Sequence, residues 1–103
     1  MGEKRFYWIK LKTDFFNQEA IDFLLSQNNG CKYIILYQML CLQAANNKGK
    51  FSIESAGKLV KDIKHFDFDN IMIALVLFEK LGLIHQDDNN VFSISNYNSM
   101  TGR

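Results

Sequence analysis

The period of the apolar positions changes along this chain, and each change marks an element. The sharpest change falls between residues 66 and 95. Ile71, Ala74, Leu75 and Phe78 recur at i, i+3, i+4 and i+7, the spacing that lines one face of a helix. Asp67 and Asp69 stand where an N-cap and first-turn acids belong, and Gly82 follows Leu81 as a left-handed C-cap does. The period then drops to two. Residues 83–86 and 91–95 flank Asp87-Asp88-Asn89-Asn90, a polar turn able to take the positive φ of a tight hairpin. A helix running straight into a two-stranded ribbon predicts the end of a winged helix-turn-helix domain.

Upstream, Tyr7, Ile9 and Leu11 alternate with Phe6, Trp8, Lys10 and Lys12, which predicts a short strand with one apolar face and a partly apolar second one. Asn17 is expected to cap a helix with Ile21, Leu24 and Leu25 inward, closed by Asn28-Asn29-Gly30. From Cys31 to Ala45 almost no polar face remains, so this helix is expected to be buried all round as the spine of the fold. After a surface turn at 46–50, Phe51-Ser52-Ile53 predicts a third strand beside the wing. Glu54 or Ser55 then opens a helix with Ala56, Leu59, Val60 and Ile63 inward and Lys58, Lys61 and Lys64 outward. The expected architecture is mainly α with a small β-sheet (α+β), a winged helix-turn-helix over residues 1–97. Residues 98–103 are expected to begin a linker to a further C-terminal region.

A chain of 103 residues has room for one domain and one core, and its 48% apolar and 22% charged residues exclude a disordered tail. The net charge of +1 lacks the whole-domain basicity of many nucleic-acid binders, so any such contact depends on where charges fall. Cys31 and Cys41 suit neither a disulfide framework nor a metal knuckle, and are expected to be reduced, buried thiols of a cytoplasmic protein. No signal peptide and no bilayer-length apolar run is present, so no membrane partner is expected. His65 and His85 lack partners at ligand spacing, neither cysteine has the surroundings of an activated nucleophile, and no Gly-rich phosphate loop occurs. Neither an enzyme nor a cofactor nor a bound metal is expected.

The opening Lys4-Arg5-Phe6-Tyr7-Trp8-Ile9-Lys10-Leu11-Lys12-Thr13-Asp14-Phe15-Phe16 resembles the start of the N-terminal domain of phage replisome organisers. Related openings occur in plasmid replication initiators of the RepA type and, more distantly, in DnaD-like replication proteins. Residues 30–40, 78–84 and 98–102 also fall where that family has similar residues. The resemblance covers nearly the whole chain, although the 78–84 block is shared by many winged-helix proteins. It implies a phage or bacterial protein whose N-terminal winged helix binds double-stranded origin DNA, self-associates, or both. Replication partners would be recruited through a separate C-terminal region.

In a winged helix the second helix of the pair enters the major groove. Among its outward positions only Asn70 has a side chain suited to a bidentate contact with adenine. Lys58, Lys61 and Lys64, with His65 behind them, form a candidate phosphate grip, supported by Lys48 and Lys50. Spaced lysines are also simply how a solvated helix face looks. Lys4, Arg5, Lys10 and Lys12 make a second basic group whose interleaved aromatics are better read as packing. The wing offers Asn89 and Asn90 but is spoiled for phosphates by Asp87 and Asp88. Met72, Ile73, Val76 and Leu77 occupy the face that a reading helix fills with polar groups. They are either extra core or the interface of a homo-dimer or higher oligomer. Two functions therefore stand: a DNA-binding, self-associating domain of a replication initiator, and an oligomerisation module that leaves DNA to another region.

Overall fold

The computed structural model describes residues 9–62, 71–87, 90–95 and 97. Among these lie four helices and three strands: α1 (Glu19–Leu25), α2 (Gly30–Ala44), β1 (Lys50–Ser52), α3 (Ile53–Asp62), α4 (Ile71–Lys80), β2 (Ile84–Gln86) and β3 (Val91–Ile94). A single 3-10 turn, Phe15–Asn17, precedes α1. The fold is mainly helical with one antiparallel sheet, an α+β arrangement compatible with a winged helix-turn-helix. The connection between α3 and α4 lies outside the described residues, as do Tyr7, Ile63, Asp67, Asp69 and residues 98–103 of the sequence-based expectations.

The sheet order is β1-β3-β2, antiparallel throughout. Phe51 pairs with Phe92, and their rings stack 5.4 Å apart at 14°. Ile84 pairs with Ile94, and both are buried. These side chains take the inner face of the sheet, and the alternate row of Lys50, Ser93 and His85 takes the outer one. Helix α4 supplies Ala74, Leu75 and Phe78 to the core, the stripe that its spacing predicts. Phe78 meets Tyr37 edge-on at 5.8 Å, and Phe15 stacks on Tyr37 at 6.4 Å, so aromatic rings tie the 3-10 turn, α2 and α4 together.

Two local devices set the helix ends that flank the sheet. Ser52 accepts a 3.0 Å bond from the Ser55 amide, while Ser55 Oγ accepts one of 3.0 Å from the Ser52 amide. This is a capping box with serine in the position usually held by Glu. It starts α3 at Ile53, so β1 keeps three residues but lies one position earlier than Phe51-Ser52-Ile53 implies. At the end of α4, Gly82 adopts φ +77°, its amide bonds Glu79 and the Leu83 amide reaches back to Phe78. That 6→1 and 5→2 pair is a Schellman cap, and it turns the chain directly into β2.

Several expectations fail, each for a physical reason. Residues 9–12 form no strand: Leu11 is exposed beside Lys10 and Lys12, so the apolar alternation stops at Ile9, which packs on the core. Asn17 closes the 3-10 turn, and Gln18 is the N-cap of α1 without a side-chain bond. At seven residues α1 presents one inward pair, Ile21 and Leu24; Leu25 lies in the last position and points out. Helix α2 is not buried all round. Ile34, Leu36, Tyr37, Leu40, Cys41 and Ala44 are inside, whereas Cys31, Ile35 and Leu42 are exposed on the side that no described element covers. Cys31 is therefore a surface thiol.

Candidate nucleic-acid interface and apolar face

Helix α3 holds the first group of candidate residues. Its inner side is anchored by buried Ala56, with Ile53, Leu59 and Val60 packed against the core. That rotation turns Lys58 and Lys61 to solvent, as expected, but it exposes Glu54 and Asp62 as well. Glu54, Lys58 and Asp62 are successive i, i+4 neighbours, so acids flank the lysines and hold the face near neutral. The Ile53 amide donates to the Asn90 carbonyl at 3.0 Å, which fixes the base of the β2–β3 loop against the first turn of α3. That bond sets exposed Asn90 at the N-terminal end of α3, the helix that carries Lys58 and Lys61. Lys64, His65, Asn70 and Asn89 lie outside the described residues.

The wing differs from its sequence reading. Lys50 Nζ lies 2.9 Å from Asp87 Oδ2, and the Ser93 hydroxyl donates to the same oxygen. The Ser93 hydrogen bond, followed by that of Lys50, holds the Asp87 carboxyl below its ordinary range. Asp87 is therefore a partnered acid rather than a bare repeller of phosphates, and Lys50 is not a spare cation beside Lys48. Sequence gave no sign of this: the two residues meet only because β3 separates and aligns β1 and β2.

The second group lies on α4. Met72, Ile73 and Val76 are 49%, 53% and 49% exposed, while Leu77 turns partly inward onto the core. With Tyr33, Gln27 and Lys80 they line a groove of about 420 Å³. Tyr33 and Gln27 were not singled out by periodicity, because they enter the groove from α2 and the α1–α2 turn. Among the described residues no element packs over this face. A larger cleft of about 580 Å³ separates residues 10–15 from Gly82, Leu83 and Ser95, with Tyr37 at its wall.

The described residues hold no group of three His, Cys, Asp or Glu suited to a metal ion, and no helix among them is long and apolar enough to cross a membrane. Burial pushes the Cys41 thiol up to about 12, with a hydrogen bond from Tyr37 acting the other way. Burial, then the neighbouring Cys41, raises the Tyr37 phenol as well. Both groups are neutral structural residues at physiological pH.

What the geometry defines is a small α+β domain with a charged helix, a clasped ribbon and an open apolar helix face. The chain belongs to the N-terminal phage replisome organiser family, whose model matches residues 8–103. Neither the curated proteins nor the solved structures give a match. Membership gives the chain a role in phage replication.

Proposed function

We propose that this chain is the DNA-binding and self-associating domain of a phage replication initiator, built as a winged helix. Its α4 faces a second copy, and its α3 region grips duplex phosphates. The observation that carries the reading is the composition of the α4 face. Met72, Ile73 and Val76 offer no hydrogen bond to a base edge, yet they are about half exposed in the folded chain. An open apolar surface of this kind suits another protein surface better than a major groove. DNA contact then falls to Lys58, Lys61 and the Asn90 turn, with Lys64, His65, Asn70 and Asn89 completing the proposed set. Because Glu54 and Asp62 temper the lysines, one copy grips weakly. Two copies held together add their phosphate contacts on one duplex.

Fluorescence anisotropy with a labelled duplex over a salt series tests this. Binding is expected at low salt and should weaken steeply as salt rises, and Lys58→Glu with Lys61→Glu should abolish it. No binding at the lowest salt, in a chain that still self-associates, would leave the second reading: an oligomerisation module whose partner region handles DNA. The mixed charge of α3 is the observation that favours that alternative.

A further inference from the structure

We propose that Lys50 is a latent phosphate-binding residue which Asp87 holds back, so that the wing carries its own brake on sequence-blind DNA contact. This inference rests on the nucleic-acid reading above. Lys50 opens β1 and Asp87 follows β2, and the sheet order brings them to the two sides of β3. Register does the rest. Lys50 pairs with Ser93, and Ser93 with His85, so these side chains form one polar row on the outer face while Phe51, Phe92, Ile84 and Ile94 anchor the inner face. Because the inner row is fixed by packing, the outer row cannot slip without burying Lys50.

Asp87 Oδ2 then receives both the Lys50 ammonium at 2.9 Å and the Ser93 hydroxyl. An exposed ion pair of this type is weak and screened by salt, so a duplex phosphate competes with the carboxylate for the same ammonium. The wing meets α3 through the Ile53 amide and the Asn90 carbonyl. A released Lys50 would therefore add a cation on the strand that leads directly into α3, the helix that carries Lys58 and Lys61. With Asp87 in place, the lysine is engaged and its charge is already met by the carboxylate.

The test uses the 103-residue chain and a short labelled duplex of arbitrary sequence, followed by anisotropy from about 50 to 200 mM salt. Asp87→Asn should tighten binding at low salt and steepen the logarithmic salt slope by about 0.9, the signature of one added phosphate contact. Its advantage over the wild type should accordingly shrink roughly threefold across that range. Lys50→Gln placed in the Asp87→Asn chain should cancel the gain. Asp87→Ser, which also removes the charge, should behave as Asp87→Asn does, with circular dichroism reporting an intact fold. Wild-type binding that Asp87→Asn leaves unchanged overturns the brake and spares the DNA reading. A gain that survives Lys50→Gln assigns the effect to lost negative charge alone, and overturns the latent lysine. No binding by any of these proteins at the lowest salt overturns the nucleic-acid reading itself, and this inference with it.

Discussion

Cys31 and Cys41 sit on one helix and meet opposite fates, because α2 turns one side to the core and the other to solvent. Their chemistry is visible in sequence, but their exposure is not, since it depends on which flanks of α2 other elements cover. Iodoacetamide should therefore label Cys31 in the native protein and Cys41 only after unfolding, as peptide mass spectrometry would report. Cys41 also carries a pH consequence. Its folded value near 12 lies above the ordinary 9.0, so the stabilisation of its neutral form is complete below pH 9.0 and is lost as pH rises toward 12. Urea midpoints taken across the alkaline range should fall less steeply in Cys41→Ala than in the wild type. Two glycines make a second residue-scale contrast. A Cβ on Gly30 would lie 2.6 Å from the Leu24 and Leu25 carbonyl oxygens, where backbone cannot yield. Gly30→Ala should cost about 1–3 kcal/mol as an overpacked contact. Gly57 has nothing within 4 Å of such a Cβ inside α3, and Gly57→Ala should add about 0.5–1 kcal/mol by helix propensity. Urea unfolding with opposite signs for the pair is the expected result.

At the scale of elements, legibility follows the range of the interactions that decide each one. Helix α4 and its glycine cap are readable because i, i+3, i+4 spacing and a Schellman turn are local, and the hairpin after them is set by period two. The expected N-terminal strand fails over residues 9–12, the part that is described, because alternation makes a strand only where a partner strand exists. Leu11 faces solvent instead. The start of α3 was missed by one or two residues since serine at both ends of a capping box is less recognisable than serine with glutamate. That box is nonetheless strong enough to test. Ser52→Ala removes the acceptor for the Ser55 amide, and should cost about 1 kcal/mol. Ser52 also closes β1, so the loss should appear as faster amide exchange in the first turn of α3 and in the β1–β3 pairs, with α1 and α2 unchanged.

For the whole molecule, the decisive matter is which apolar faces remain open once the core is closed. Both α2 and α4 are apolar on nearly every side in sequence, a pattern that predicts a wholly buried α2 and leaves the outer face of α4 as either extra core or interface. Among the described residues, no element covers the outer side of either helix. The structure leaves Met72, Ile73 and Val76 open on α4 while drawing Leu77 inward, so the candidate interface is narrower than periodicity suggests. This difference gives neighbouring residues opposite mutational outcomes. Val76→Asp puts a charge where solvent already reaches, and should leave circular dichroism and melting of the dilute chain unchanged while converting an oligomer to a monomer in light scattering. Leu77→Asp instead places a charge against the core, and should destabilise the domain by several kcal/mol. If two weak phosphate grips act through self-association, Val76→Asp should also weaken duplex binding by about a hundredfold at low salt, although residue 76 touches no DNA in this scheme. A Val76→Asp chain with the same scattering mass as the wild type would mean that α4 joins no second copy. A monomeric variant that binds duplex as tightly as the wild type would instead separate the two activities, leaving the α3 region to act on DNA one chain at a time.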